Sequence, residues 1–281
     1  MDEALAAALR DKFFKQDAAY LASDHGRADF ANHLHARTQK YRALYRDWIL
    51  ALLVGRRQVL EVGIGTGCAS LMLAESGCAL DGIEMEGTHA EIAQLRLAGA
   101  GQAYGRVLLG NAAEILQSHP LGGYDAVIFW ATLEHMTQAE RQAALRAVWS
   151  GLRPGALLMV LECPNRLWYR DTHTSTVPFF HWLPDALAWQ LYAGGGELEL
   201  ARAGRGASYH EFQLAGIPVS VEASIDSLQR FRRGDVLRRL KWLLAADGRY
   251  ERWLHRLAGG VHREFFHEYL DLAIGKPGPA S

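Results

Sequence analysis

The first part of the chain has apolar residues at the spacing of an α-helix. Residues 1–55 contain neither proline nor a glycine cluster, and Gly55 follows the last apolar run. Apolar side chains three and four positions apart share one face of a helix. This spacing is seen in Tyr41, Leu44, Tyr45, Trp48 and Leu52. The pattern predicts an N-terminal helical cap over residues 1–55.

Beyond this cap, short apolar runs alternate with segments of helical pattern. The runs predict five buried strands, over 59–62, 80–84, 107–109, 126–130 and 156–161. The segments between them predict helices over 68–75, 89–97, 112–117 and 138–152. Strands that alternate with helices are typical of a parallel sheet covered on both faces. We therefore expect an α/β fold with a doubly wound, mostly parallel sheet.

An aromatic-rich segment, residues 163–185, interrupts this alternation. A long structured loop inside a compact domain usually serves function, so the segment predicts a lid over the site. A helix over 184–192 is expected next. Further strands over 208–214 and 269–274 would complete seven strands, with helices over 224–257 between them. The chain is thus expected to have a cap (1–55) and one domain (56–281), with a helical insertion over 224–266.

Composition and charge narrow the class of protein. The chain has 30 basic and 31 acidic side chains among 281 residues, a net charge of −1, which argues against a dedicated nucleic-acid binder. The longest apolar run, 48–54, is too short to span a membrane, and the acidic start Met1-Asp2-Glu3 predicts no targeting segment. Three scattered cysteines give neither a disulfide framework nor a zinc site. We expect a cytoplasmic protein of undetermined oligomeric state.

A glycine-rich loop joins the first predicted strand to the first helix of the sheet. The glycines are Gly63, Gly65 and Gly67, and Glu84 ends the second strand about twenty residues later. Glycine lets the backbone turn sharply and approach a ligand, and an acid at the second strand's end can accept from ribose hydroxyls. The pattern predicts a nucleoside cofactor at the carboxyl edge of the sheet.

The spacing of the glycines distinguishes between nucleoside cofactors. It reads G-x-G-x-G, whereas the dinucleotide fingerprint needs G-x-G-x-x-G, and no Lys-Ser/Thr pair follows as in a P-loop. Glu61 precedes the first glycine by two residues. A carboxylate there repels pyrophosphate and suits a ligand that carries an ammonium group.

In these motifs the sequence resembles the class I S-adenosylmethionine-dependent methyltransferases, over about residues 41–165. The glycine loop resembles the family's first motif, Leu133-Glu134-His135 its "LEH" signature, and Arg153-Pro154-Gly155 its turn before the fifth strand. The resemblance implies S-adenosylmethionine as cofactor and S-adenosylhomocysteine as product. The implied cofactor residues are Glu61, Gly63, Gly65, Gly67, Glu84, Met85, Asn111, Ala112 and Trp130. Asn111 stands where the family commonly has aspartate.

The acceptor side is expected around the LEH signature and the aromatic loop. The candidate catalytic residues are His135, His173 and His181, since imidazole suits proton removal near neutral pH. The candidate acceptor-binding residues are Glu134, Trp168, Tyr169, Asp171 and Phe180. Two structural alternatives stay open: Glu134-His135 as a helix start, and the loop as a segment anchored by its aromatics.

Some relatives bind a metal through E-x-x-E-H; here the first position is Ala131, so we expect no metal.

These inferences predict a methyltransferase that acts on an oxygen or nitrogen of a small molecule. Residues 226–266 carry ten basic and five acidic side chains. A basic amphipathic helix there leaves open a lipid-linked or glycan acceptor and peripheral membrane contact. A non-catalytic binding protein with the same fold is a further alternative.

Overall fold

The structure is a computed structural model that describes residues 2–55, 57–171, 174–175, 177–192, 204–219, 223–224 and 246–278. The chain divides into two compact units. The first unit comprises Met1–His119 and Gly123–Ile128, and the second comprises Pro120–Gly122 and Phe129–Ser281.

The N-terminal cap is helical, as the sequence predicts, but it is built from short pieces. The helices are α1 (Asp2–Ala8), α2 (Ala18–Ala22), α3 (Asp24–Ala31), α4 (Arg37–Leu44) and α5 (Arg46–Leu52). Two π-helical turns, Leu9–Phe13 and Asn32–Ala36, lie among them. Side-chain caps explain one of the breaks, because Ser23 accepts a hydrogen bond from the Gly26 amide and starts α3.

The first unit contains three parallel strands that position the glycine loop. They are β1 (Gln58–Val62), β2 (Ala79–Glu84) and β3 (Tyr104–Leu109), with β2 between the other two. Three helices accompany them: α6 (Cys68–Glu75), α7 (Gly87–Gly99) and α8 (Ala112–Ser118). Because the strands are parallel, the loops after β1 and β2 begin at the same edge of the sheet.

The second unit contains the C-terminal strands. These are β5 (Leu157–Pro164), β6 (Ala223–Ser224) and β7 (Tyr269–Gly275), and β7 pairs antiparallel with both others. Helix α9 (Gln138–Gly151) precedes β5, and β4 (Ala126–Trp130) has residues in both units. The strand order is β3-β2-β1-β4-β5-β7-β6. The prediction of a seven-stranded, mostly parallel, doubly wound sheet is confirmed.

One predicted strand is wrong. Residues Tyr209–Leu214 form an α-helix, and the sixth strand is Ala223–Ser224, at the start of the segment predicted to be helical. The helix begins with a capping box in which Ser208 and Glu211 satisfy each other's backbone amides. That local cap overrides the apolar alternation around Phe212.

The helical predictions near the C-terminus hold where the structure describes them. Helix α10 (Asp185–Leu191) lies within the predicted 184–192, and Ala246–Leu257 is helical as expected. The rest of the predicted helical insertion, residues 225–245, lies outside the described residues. Within the described ranges, every helix is too short or too polar to cross a bilayer.

Candidate functional site

The glycine loop follows β1 and turns the chain into α6. Gly63, Gly65 and Gly67 have φ values of 74°, 53° and 76°, in the left-handed region that glycine adopts without strain. A Cβ on Gly67 would lie 2.8 Å from the Cα of Ala93, so this glycine allows α7 to pack closely. Among the described residues, a Cβ on Gly65 would meet no atom within 4 Å. The loop thus leaves open space at Gly65, as a backbone cradle for a ligand requires.

Glu84, at the end of β2, holds this loop in place. Its Oε2 accepts from the Gly65 amide at 2.8 Å, and its Oε1 accepts from the Met85 and Glu86 amides at 2.9 and 3.0 Å. Burial raises the pKa of the Glu84 carboxyl, but His89 and these amides outweigh it and bring the pKa below its usual value. Glu84 is therefore a carboxylate at neutral pH, placed directly beside the cradle.

Glu61 is the second acid of the loop region, and its environment differs from that of Glu84. Only 1% of Glu61 is exposed, and its Oε2 accepts from the Ser70 hydroxyl at 2.6 Å. Burial raises the Glu61 pKa to about 8; the Ser70 bond opposes the rise and the Glu84 charge adds to it. A cation next to Glu61 would favour its charged form. This residue therefore has the chemistry to receive an ammonium group.

The end of β3 adjoins the end of β2. The Gly110 amide donates to the Glu84 carbonyl at 2.9 Å, and Asn111 caps α8 by accepting from the Ala113 amide at 2.9 Å. Asn111 and Ala112, the predicted adenine-flanking pair, thus begin a helix beside Glu84. Met85, which follows Glu84 in the chain, is 52% exposed.

The first unit therefore brings together eight of the nine predicted cofactor residues. The ninth, Trp130, ends β4 in the second unit. Two acidic side chains, an open backbone cradle and a helix start form a set of groups that fits the ammonium, ribose and adenine parts of S-adenosylmethionine.

The LEH signature lies in the second unit, just after β4. It forms a 3₁₀ turn, Leu133–His135, after Ala131, whose φ of 46° is unusual for a residue with a side chain. Glu134 is buried, and no described residue hydrogen-bonds to its Oε2. Burial raises its pKa to about 8, although its own amide and Cys163 oppose this. The His135 side chain is 45% exposed, with Nε2 4.0 Å from Oε1 of Glu134.

The aromatic loop is anchored at its first residues. Trp168 and Tyr169 pack on Tyr250 with ring centroids 5.5 and 4.9 Å apart, and the Tyr169 hydroxyl donates to Asp247. Phe180 is fully buried, whereas Phe179 and Trp182 are about half-exposed. These contacts are those expected for the anchored-loop alternative, while the exposed rings are available to a ligand. His173 lies outside the described residues.

Asp171 and His181 form a buried pair within this loop. His181 Nε2 lies 3.1 Å from Oδ1 of Asp171. Oδ1 also accepts from the Thr174 amide at 2.8 Å, and Oδ2 accepts from the Ser175 amide at 2.6 Å. Burial raises the Asp171 pKa, but His181 and the two amides lower it more, so the pKa lies far below its usual range. His181 Nδ1 is buried, and none of the residues that the structure describes is hydrogen-bonded to it. The sequence predicts both residues but not their pairing.

Several residues near the glycine loop are not predicted from the sequence. His89 lies 3.8 Å from Glu84 and Ser70 binds Glu61. Arg96 is buried at the apolar face of α7, next to Ile92 and Leu97 in the helical pattern. The sequence alone shows this charged residue at an apolar position of the helical pattern, and that position could have marked Arg96 as a candidate. Among the described residues, no group of three or more side chains could hold a metal ion.

Comparison with known proteins identifies part of the chain. A family model described as "Methyltransferase domain" matches residues 59–155. No curated protein matches the chain. Among solved structures, the CcbJ methyltransferase from Streptomyces caelestis is 26% identical, over 48% of this chain and 53% of that one, with a TM-score of 0.39. The amino pentose methyltransferase CalS10 from Micromonospora echinaspora, solved with S-adenosylmethionine, is 22% identical over 53% and 55%, with a TM-score of 0.37.

This chain matches about half the length of those two solved structures. The family model covers the segment from β1 to the turn before β5, which contains both the glycine loop and the LEH signature. Residues 59–155 are therefore a methyltransferase domain of the class I S-adenosylmethionine-dependent kind, and S-adenosylmethionine is the cofactor that its donor set fits.

Proposed function

We propose that this protein transfers a methyl group from S-adenosylmethionine to an oxygen or nitrogen of a small-molecule acceptor. The observation that carries the proposal is the 2.8 Å hydrogen bond from the Gly65 amide to Glu84. It joins the acid expected to bind ribose to the open backbone cradle. When bound, S-adenosylmethionine supplies a methyl group made reactive by its positively charged sulfur.

On this proposal the donor is held by the first unit. Glu61 receives the ammonium group, because a cation offsets the cost of charging a buried carboxyl. Glu84 accepts from the ribose hydroxyls; three amides occupy about three of its roughly four lone-pair positions, so acceptor capacity remains. Asn111 and Ala112 flank the adenine, with Met85 on its exposed side. Fixed alignment of this kind can remove several kcal/mol of a barrier.

The acceptor must lose a proton when its oxygen or nitrogen is methylated. His135 is the proposed proton acceptor, since its imidazole is half-exposed and follows the strand end. A positioned base of this kind contributes about 10²–10⁴-fold in rate. Glu134, which retains its proton at neutral pH, is available there as a hydrogen-bond donor.

The aromatic loop is proposed to bind the acceptor through its exposed rings. Trp168, Tyr169 and Phe180 support those rings from inside, and the Asp171–His181 pair holds the loop's fold. His181 stays a catalytic candidate from the sequence, and its side chain is buried in this pair. His173 stays a catalytic candidate from the sequence.

A lipid-linked or glycan acceptor is the second candidate. The helix Ala246–Leu257 exposes Trp253 and Leu257, 48% and 66% accessible, together with several arginines. Exposed apolar side chains beside basic ones suit an anionic lipid surface. Sedimentation with phosphatidylglycerol vesicles, lost at high salt, would favour a lipid-linked acceptor; no sedimentation at low salt would count against one.

Two measurements test the proposed function. Native mass spectrometry of freshly purified protein should detect S-adenosylhomocysteine or S-adenosylmethionine, and calorimetry should measure binding of both. Incubation with metabolite extract and methyl-labelled donor should then yield a labelled small molecule. Donor binding without any transferred label would favour the non-catalytic binding protein, and a labelled lipid fraction would favour the second candidate. Absence of donor binding would refute both enzymatic functions.

A further inference from the structure

Arg96 joins three backbone carbonyls from two separate segments of the first unit. From its buried position on α7, Nε donates to the Thr66 carbonyl in the glycine loop at 2.7 Å. Nη1 and Nη2 donate to the carbonyls of Leu34 and His33, at 3.1 and 2.5 Å. The guanidinium therefore connects the glycine loop to the N-terminal cap.

The cap carbonyls that Arg96 contacts belong to an irregular stretch of helix. Asn32–Ala36 is a π-helical turn, and the amide that follows it bonds back to the Asn32 carbonyl. This pattern departs from the regular α-helical one, and such turns are frequent at functional sites. The His33 and Leu34 carbonyls within this turn accept from Arg96. The π-helical turn and the guanidinium thus form one arrangement.

Arginine suits this position for a physical reason. Burial of a cation is costly unless its donors are satisfied, and burial is the main cause that lowers the Arg96 pKa. The planar fork of a guanidinium can reach several acceptors at once. Lysine, a point charge with three rotatable donors, cannot hold the same three carbonyls in this geometry.

Further contacts join the cap to the same loop. His33 Nδ1 lies 3.0 Å from the Thr66 hydroxyl, and the Thr38 hydroxyl donates to the Cys68 carbonyl at 3.2 Å. Burial, with the Arg37 charge, lowers the His33 pKa to about 4. The imidazole is therefore neutral at physiological pH, which avoids a second buried cation beside Arg96.

The cap also reaches the surroundings of Glu84. The Phe13 ring lies between two imidazoles, with centroids 4.4 Å from His33 and 5.1 Å from His89. His89 in turn lies 3.8 Å from the Glu84 carboxylate. Both the loop at Thr66 and the acid that would bind ribose are thus connected to the cap.

We propose that Arg96 is a positioning residue for the methyl donor. By holding the cap against Thr66, it fixes the glycine loop in the conformation that binds S-adenosylmethionine. Donor binding and order of the cap are then coupled, and the coupling is reciprocal: the donor stabilises the cap as much as the cap strengthens donor binding. This inference rests on the proposed donor site, and donor binding by the wild-type protein tests that site separately.

Calorimetric titration of S-adenosylmethionine is the first test, on wild type, Arg96→Lys, Arg96→Gln and a control. The matched control is Arg42→Gln. Arg42 on α4 also links the cap to the domain, through two bonds to Glu75 on α6 at 2.9 and 2.7 Å, but it is half-exposed and its described bonds do not involve the loop. We expect at least about tenfold weaker binding for Arg96→Gln, a smaller loss for Arg96→Lys, and wild-type affinity for Arg42→Gln.

Hydrogen–deuterium exchange supplies a readout that a purely structural role would not move. In wild type, saturating S-adenosylmethionine should slow exchange in residues 28–40, and Arg96→Gln should lose this response while retaining the circular dichroism of wild type. In turnover, Arg96→Lys should raise the donor KM with little change in kcat. If Arg96→Gln does not fold, Arg96→Lys and the wild-type exchange response decide the matter.

The outcomes separate the two proposals. A wild-type protein that does not bind S-adenosylmethionine refutes the proposed function itself. If wild type binds but folded Arg96 variants bind within twofold of it, the inference about Arg96 is overturned. Equal weakening by Arg42→Gln would show that cap docking in general, and not loop positioning, is responsible, and it would also overturn the inference. So would a cap whose exchange is indifferent to the donor.

Discussion

The amide of Gly65 donates to Oε2 of Glu84 across 2.8 Å, linking the glycine loop after β1 to the end of β2. One carboxylate therefore serves two purposes on the proposed function: it holds the loop and it accepts from ribose. The two purposes are separable, because a substitution can remove the negative charge while keeping one acceptor oxygen.

Substitution of Glu84 is expected to weaken donor binding strongly. In Glu84→Gln an NH₂ group replaces one oxygen and faces an amide donor, and Glu84→Ala removes all three bonds. Each lost bond to a charged group costs about 1.5–3 kcal/mol, so titration should show affinity at least about tenfold lower in Glu84→Gln and lower still in Glu84→Ala. Glu91→Gln, at an exposed acid of α7, is the control. Unchanged affinity in Glu84→Ala would show that this carboxylate does not bind the donor.

Glu61 predicts a pH dependence of donor affinity. Its pKa of about 8 means that it is protonated below that pH in the unbound protein, whereas a bound ammonium group favours the carboxylate. Binding therefore releases a proton, and affinity should rise by up to about tenfold per pH unit up to about pH 8, then level off.

Calorimetry in buffers of different ionisation enthalpy measures the released proton directly. Glu61→Gln is the control, because the donor's own amino group titrates equally in both proteins and only the Glu61 contribution disappears. The same pH slope in wild type and variant would contradict this assignment.

One added methyl group is expected to lower mainly stability at Gly67 and mainly donor affinity at Gly65. Gly67→Ala places a Cβ 2.8 Å from the backbone of Ala93, so a loss of stability of roughly 2–4 kcal/mol is expected in urea unfolding. Gly65→Ala meets no atom within 4 Å, so only the left-handed backbone costs about 1–2 kcal/mol. Its methyl group fills the cradle, however, so the free energy of donor binding should fall by more than the free energy of unfolding. Equal effects on both properties would refute the cradle.

His135 is predicted to act on the acceptor and not on the donor. His135→Ala should lower kcat by about 10²–10⁴-fold, the range for loss of a general base, with donor affinity unchanged in titration. The bell-shaped or sigmoidal pH profile of kcat should lose its acidic limb. His210→Ala, at an exposed histidine of the helix Tyr209–Leu214, serves as the control. Wild-type turnover in His135→Ala would exclude it as the base.

The sequence predicts the elements that are determined by residues close together in the chain. Strands β1 to β5 follow from short apolar runs, and the glycine loop follows from residue type and spacing. The strand expected over 208–214 is instead the helix Tyr209–Leu214, which begins at the cap from Ser208 to Glu211.

The contacts of Arg96 could not be predicted in this way. Its partners Thr66 and Leu34 lie 30 and 62 residues away along the chain. A local pattern of residue types does not show which distant residues meet in the fold. An arginine at an apolar position of α7 indicates only that some buried acceptor exists.

The Asp171–His181 pair predicts a stability that depends on pH in the acid range. Because the folded-state pKa of Asp171 lies below its usual value, its contribution is fully present above about pH 4 and is lost as pH falls through the lower value. In Asp171→Asn this contribution is absent at every pH, and an NH₂ group faces a backbone amide, at a cost of about 1–3 kcal/mol at neutral pH. Urea unfolding followed by tryptophan fluorescence should therefore show a difference between the two proteins at pH 6 that shrinks as the pH falls below about 4. His181→Gln, which keeps a donor for Asp171, should lie between them. A constant difference across this range would mean that the carboxylate is not what holds the loop.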